Sequence, residues 1–205
     1  MKALLLSAAV VALCAILTGC GTVSHVTPAS GATSDLKKYD RVLVLDFADG
    51  VSDKGDSAAH QRKRLELALA TKSFPDEIAI ELQSQGVFRE VTRSGQPDAH
   101  TLVISGTVTR YAEGDAMGRM FVGLGVGSSY FDATVQLKDG AESSVLATQK
   151  VDKNSFVFGG GIAANQTPLG FMRQAAKKLA TDLVAAKRTG NLPTTGQVGS
   201  LASAR

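Results

Sequence analysis

The apolar positions of the chain change period several times, and each change marks an element. "YDRVLVLDFA", Tyr39 to Ala48, is a continuous apolar run of strand length, as expected of a buried central strand. "DGVSDKGDSAAHQRKR" follows as a long charged loop, and "RLELALAT" fits either strand alternation or a Leu/Ala/Glu helix. "SFPDEIAIELQSQG" predicts a helix capped by Ser73, with Pro75 in its first turn and Gly86 closing it. Phe74, Ile78 and Leu82 recur four apart on one face. "VFREV" and "HTLVISGTVTRY" read as strands. In "YFDATVQLKD", Phe131, Ala133, Val135 and Leu137 alternate with polar neighbours, and "VLATQKV" returns across a "GAES" turn as the other arm of a hairpin. The last helix opens at Thr167 and Pro168, with the stripe Phe171/Met172, Ala175/Ala176, Leu179/Ala180, Leu183/Val184. Arg173, Lys177 and Lys178 lie off that stripe. The order β-α-β-β-β-β-α predicts an α+β domain, with a mixed, mostly antiparallel sheet and both helices on one face.

Before this domain the pattern is different. Met1-Lys2 precedes an apolar run from Ala3 to Leu17, too short to span a bilayer comfortably and flanked like a secretory signal. It ends in Leu17-Thr18-Gly19-Cys20, which resembles the bacterial lipobox. That resemblance implies cleavage between Gly19 and Cys20, a diacylglycerol thioether on Cys20 and acylation of the new amine. Two or three acyl chains anchor stably where one holds only marginally. Gly21 stands where an Asp would favour retention in the inner membrane, so the expected location is the periplasmic face of the outer membrane. "GTVSHVTPASGATSDLK" has no apolar period and reads as a flexible tether with a span on the order of 20–25 Å. The expected organisation is a signal peptide over 1–19, lipidated Cys and tether over 20–38, a globular domain over 39–187 and a disordered tail over 188–205.

Composition narrows the functions. Removing 19 of 205 residues leaves 186, with no Cys beyond Cys20, since Cys14 departs with the signal. Disulfides, thiolate metal clusters and a cysteine nucleophile are thereby excluded from the mature chain. The formal net charge of +3 falls by one with Lys2, there is no Trp, and aromatics are not interleaved with basic clusters. Nucleic acid is not an expected partner.

Candidate chemistry is sparse. "GRMFVGLGVGSS", Gly118 to Ser129, places Gly123, Gly125 and Gly127 at alternate positions. No Lys-Ser/Thr follows and the next element is a strand, so a phosphate loop is not expected. The run reads as a turn and early strand whose glycines share one side, leaving Phe121, Val122, Leu124 and Val126 in need of cover. Phe121, Leu124 and Gly125 are therefore the candidate contact surface. Gly159-Gly160-Gly161 precede a helix by several residues and read as a linker more than as an anion site. Asp46, Asp49, Asp53 and Asp56 do not follow EF-hand spacing and read as a solvated loop. His25, His60 and His100 show no metal-ligand spacing, and no Gly-x-Ser-x-Gly elbow appears. No catalytic residue, metal or cofactor is expected.

"SFPDEIAIELQSQGVFREV", "ISGTVTRYAEGDAMGRMFVGLGVGSSYFDATVQLKD" and "VDKNSFVFGGGIAANQTPLGFMRQAAKKLA" resemble, in this order, a family of bacterial lipoproteins known as a domain of unknown function (4410-like). The likeness covers most of Tyr39 to Val184; "KDGAESSVLAT" departs from the family's Ala-Thr-Gly turn. The element order is more loosely similar to outer-membrane lipoproteins that activate peptidoglycan synthases and to the curli-secretion lipoprotein. The resemblance carries no established activity and no catalytic residues. It implies a non-enzymatic interaction or assembly module of the envelope, whose protein partner or self-assembly it does not name. The alternatives are a subunit of a secretion or pore assembly, or an activator of peptidoglycan synthesis. A pore needs membrane strands of about 9–11 residues, longer than "GRMFVGLGVG" provides for a hairpin.

Overall fold

The computed structural model describes residues 20–30, 35–50, 57–122, 126–155 and 165–192. The leader 1–19, the tail 193–205, Asp53, Asp56, Gly123, Leu124, Gly125 and the glycine run 159–161 lie outside the described residues. Eight strands form one mixed sheet: β1 (Cys20–Val23), β2 (Thr27–Pro28), β3 (Arg41–Val44), β4 (Ala48–Asp49), β5 (Glu90–Thr92), β6 (Thr101–Ala112), β7 (Tyr130–Asp139) and β8 (Val145–Asn154). The order is β1-β8-β7-β6-β3-β5, with β2 also on β8 and β4 also on β6. β3 runs parallel to β5 and β6, whereas β6, β7, β8 and β1 are successively antiparallel. The helices are α1 (Ala58–Gln85), α2 (Ala116–Phe121) and α3 (Pro168–Thr189), and Leu36–Lys38 is a 3-10 turn. The class is α+β, as the periods predict.

One face of the sheet is covered. On β7, Phe131, Ala133, Val135 and Leu137 are buried and their neighbours half-buried. They share a core with Phe74, Ile78 and Leu82 of α1 and with Phe171, Leu179 and Leu183 of α3. Phe74 is the hinge pin of this core, in edge-to-face contact with Phe47 at 5.2 Å and Phe131 at 4.9 Å between ring centroids.

α1 is longer than its sequence signals suggest. Its cap is Ser57, not Ser73, and the expected charged loop is helical from Ala58. Pro75 sits in mid-helix, where it cannot donate to the carbonyl of Thr71. That carbonyl instead accepts the Phe47 N–H at 3.0 Å, tying the segment after β3 to the helix. The proline thus frees an acceptor that a neighbour uses. Gly86 closes the helix in the left-handed region, as expected.

The segment read as a flexible tether is ordered where it is described. Cys20–Val23 pair with Val151–Asn154, and Thr27–Pro28 with Ala147–Thr148. Between them Asp182 of α3 accepts the Val26 N–H at 3.2 Å and lies 3.2 Å from His25 Nδ1, and Val26 is fully buried. One buried Val and one carboxylate are too weak a periodic signal to stand out among Ser and Thr. The expected tail also starts too early: α3 continues to Thr189, Gly190 caps it, and Leu192 is buried.

Candidate functional site

The two ends of the sheet carry different chemistry. At one end, Cys20 pairs with Asn154, Asn154 with Tyr130 and Tyr130 with Ala112, so the four lie in one row. Adjacent strands are about 4.8 Å apart, so the row from Cys20 to Ala112 spans roughly 14 Å. The connection from β6 to β7 rises from this row. It does not begin as a strand. Asp115 caps α2, accepting from the N–H groups of Met117 at 3.2 Å and Gly118 at 2.9 Å, so Gly118–Phe121 are helical. β7 begins only at Tyr130. Phe121 is therefore helical where a turn or early strand is expected, and the part of that expectation that concerns Gly123 and Gly125 lies outside the described residues.

Gly127 closes this loop. Its φ is +69°, the Asp115 N–H donates to its carbonyl at 2.8 Å, and a Cβ there would lie 2.4 Å from the Asp115 carbonyl oxygen. Ser129 then joins the loop to the start of α3: its hydroxyl donates to the Gln166 carbonyl at 2.7 Å, and its N–H to the Ser155 hydroxyl at 3.1 Å. Among the described residues the ends of the loop are held, yet its apolar side chains are exposed. Met117, Met120, Phe121, Val122 and Val126 are all exposed, Phe121 by 72%. Leu169, in the first turn of α3, is exposed too. A cleft of about 250 Å³ lined by Tyr111, Glu113, Ala116, Thr167, Pro168 and Leu169 connects it to the crossover. Beside them Arg110 stacks 3.6 Å over the Tyr130 ring. Burial pushes the Tyr111 hydroxyl well above its ordinary range, with Glu113 and Glu66 adding to the effect. Burial, with Asp152 opposite, also raises the Asp132 carboxyl.

Gly21 is a structural requirement of this rim. Its φ is +94°, and a Cβ would stand 2.2 Å from the Asp152 carbonyl oxygen. No side chain fits there while β1 pairs with β8.

At the opposite end, Asp139 gathers four donors. Its Oδ2 accepts from Tyr39 at 2.6 Å and Lys38 at 2.7 Å, and its Oδ1 from the N–H groups of Ala141 at 2.9 Å and Glu142 at 3.1 Å. Burial opposes its ionisation, but Lys38, Tyr39 and the two amides outweigh it and hold the carboxyl well below the usual range. Burial first, then the Asp139 hydrogen bond, pushes the Tyr39 hydroxyl up to about 12. This is how the β7–β8 hairpin turn is closed. Lys187 of α3 adds bonds to the carbonyls of Lys37 and Tyr39.

The remaining sequence candidates do not converge among the described residues. Asp46 pairs with Arg93 at 2.6 Å, and Arg93 also holds Asp76 at 2.7 Å. His25 faces α3, His60 lies at the start of α1 beside Ser57, and His100 Nδ1 is 3.2 Å from the Lys38 carbonyl oxygen. Among the described residues no group of three or more His, Cys, Asp and Glu is placed to hold a metal ion. Of the candidate contact residues, Phe121 is placed on the exposed crossover. Met117 and Met120 were not legible as its companions, because strand alternation and helical spacing select different neighbours of Phe121.

A family model described as Domain of unknown function (DUF4410) matches residues 42–160. The chain belongs to this family. No curated protein matches it. Similar solved structures include the PelC dodecamer of Paraburkholderia phytofirmans, 16% identical over 78% of this chain and 98% of that one, with a TM-score of 0.46. A Xanthomonas campestris protein of the DUF330 family is 13% identical over 82% and 96%, TM-score 0.42. A Neisseria meningitidis lipoprotein is 11% identical over 71% and 98%, TM-score 0.33.

Proposed function

We propose that this DUF4410 protein is a lipid-anchored module on the periplasmic face of the outer membrane, acting there by contact and assembly, not by catalysis. The observation that carries the reading is the junction at Cys20. Leu17-Thr18-Gly19-Cys20 leads into β1 with no spacer, and Cys20 lies in the same row as Ala112 and Tyr130, which the exposed crossover joins. Cleavage before Cys20 makes this cysteine the new N-terminus, and its acyl chains fix that rim of the sheet at the bilayer. A domain held this way has little reach. Its partners come to the membrane surface, or are further copies beside it. Gly21, in place of Asp, supports the outer membrane.

Cys20→Ser tests the reading. The variant is expected to incorporate no radioactive fatty acid and to accumulate as uncleaved precursor. Label persisting in the variant overturns the assignment.

A further inference from the structure

We infer that the β6–β7 crossover is a second membrane contact: Met117, Met120, Phe121, Val122 and Val126 dip into the interface of the bilayer that holds Cys20. This rests on acylation of Cys20. Three observations carry it. The first is position. Cys20, Asn154, Tyr130 and Ala112 form one row, and the crossover springs from its far end, so an anchor at Cys20 brings the crossover to the same surface. The second is exposure. The described ends of the loop are held by Asp115, Gly127 and Ser129, while Met117, Met120, Phe121, Val122 and Val126 stand exposed. The third is composition. Beyond the Asp115 cap, from Ala116 to Ser129, there is no Asp or Glu and one Arg, so the apolar segment carries no acidic group into the interface, with Glu113 and Asp115 at its base. An acylated strand at one side and an apolar loop at the other give two points of attachment roughly 14 Å apart across the sheet. Two points fix the tilt of the domain, where one lets it swivel.

The test uses the full-length acylated protein carrying Phe121→Cys, labelled with an environment-sensitive fluorophore, in vesicles of phosphatidylethanolamine and phosphatidylglycerol with brominated acyl chains. Ile80→Cys is the reference. Ile80 is exposed near the C-terminal end of α1, which leads into β5 at the opposite end of the sheet. Mass spectrometry of the same sample reports the acyl groups on Cys20. The expected result is acylated Cys20 with quenching by bromine several-fold greater at position 121 than at 80. Acylated Cys20 with equal, weak quenching at both positions overturns the docking and leaves the anchor standing. Self-quenching at 121 that grows with protein density, without bromine quenching, overturns it in favour of a second copy. Cys20 without acyl groups overturns the anchor and the docking together.

Discussion

At the Asp139 end of the sheet, polar side chains close the fold on itself; at the Tyr130 end, apolar side chains stand outside it. Asp139 collects Lys38, Tyr39 and two turn amides, and Lys187 ties the end of α3 to the same corner. There the hydrogen-bonding capacity is spent on joining β3, the β7–β8 turn and α3. In the crossover, Asp115 accepts from the Met117 N–H and donates its own N–H to the Gly127 carbonyl, while the side chains of Met117, Phe121 and Val122 are exposed. What differs is where the side chains lead: inward at one end, to a surface outside the chain at the other. The first arrangement contributes stability and the second contributes contact.

That contrast can be broken by substitution, beginning with the core the two ends share. Leu179 is fully buried on α3, midway between them. Leu179→Ala is expected to cost about 2–5 kcal/mol in urea unfolding, while Lys177→Ala, on the exposed side, stays within about 0.5 kcal/mol. Equal costs would mean that the helix is rotated.

The Asp139 end comes next. Asp139→Ala leaves a buried hydroxyl and two turn amides without their acceptor, and is expected to cost about 2–4 kcal/mol. The pH dependence has a definite sign. The folded carboxyl is held below its unfolded value, so its contribution is complete above about pH 4 and is lost as pH falls further toward the folded value. Asp139→Asn should therefore flatten the acid limb of stability against pH, seen as urea midpoints between pH 5 and pH 2. An unchanged limb would remove Asp139 from its role as the closing group. Gly127→Val tests the other end at the level of backbone. Positive φ and the contact with the Asp115 carbonyl both oppose a side chain. A cost of about 1–3 kcal/mol is expected, with faster amide exchange confined to the crossover. Exchange spread across β6–β8 would show that the loop supports the sheet.

How far this contrast was legible in the sequence depended on the element. The β7 alternation and the α3 stripe each repeat one period over several turns or residues, and both are found where they were read. The α1 start was missed because Ser73-Phe74-Pro75 imitates a helix N-terminus, while the true cap, Ser57, opens onto turns that are exposed and polar. Phe47, far away in sequence, takes the carbonyl that Pro75 leaves free in mid-helix. Such a compensation has no local signature. The same holds for β1 and β2: their pairing rests on backbone bonds to β8 and on Asp182, so side-chain pattern is nearly silent there. Phe121 was visible as an apolar residue needing cover. Its helical setting was not, since Asp115 caps only six residues.

The smallest effect discriminates most sharply. Phe121 is 72% exposed, so Phe121→Ser removes almost nothing from the core. In detergent, the urea midpoint of the acylated protein should move by no more than about 0.5 kcal/mol. On vesicles the expectation changes. A surface that binds only the folded state stabilises it by mass action. If the crossover docks on lipid, vesicles stabilise the folded wild type through the crossover, because the acyl chains of Cys20 hold the folded and the unfolded chain alike, and the variant loses that gain. The midpoint should therefore separate wild type from Phe121→Ser on vesicles and not in detergent. Should the variant fall by the same amount in both, Phe121 is supporting its own domain, and the distinction between a closed end and a contacting end does not hold.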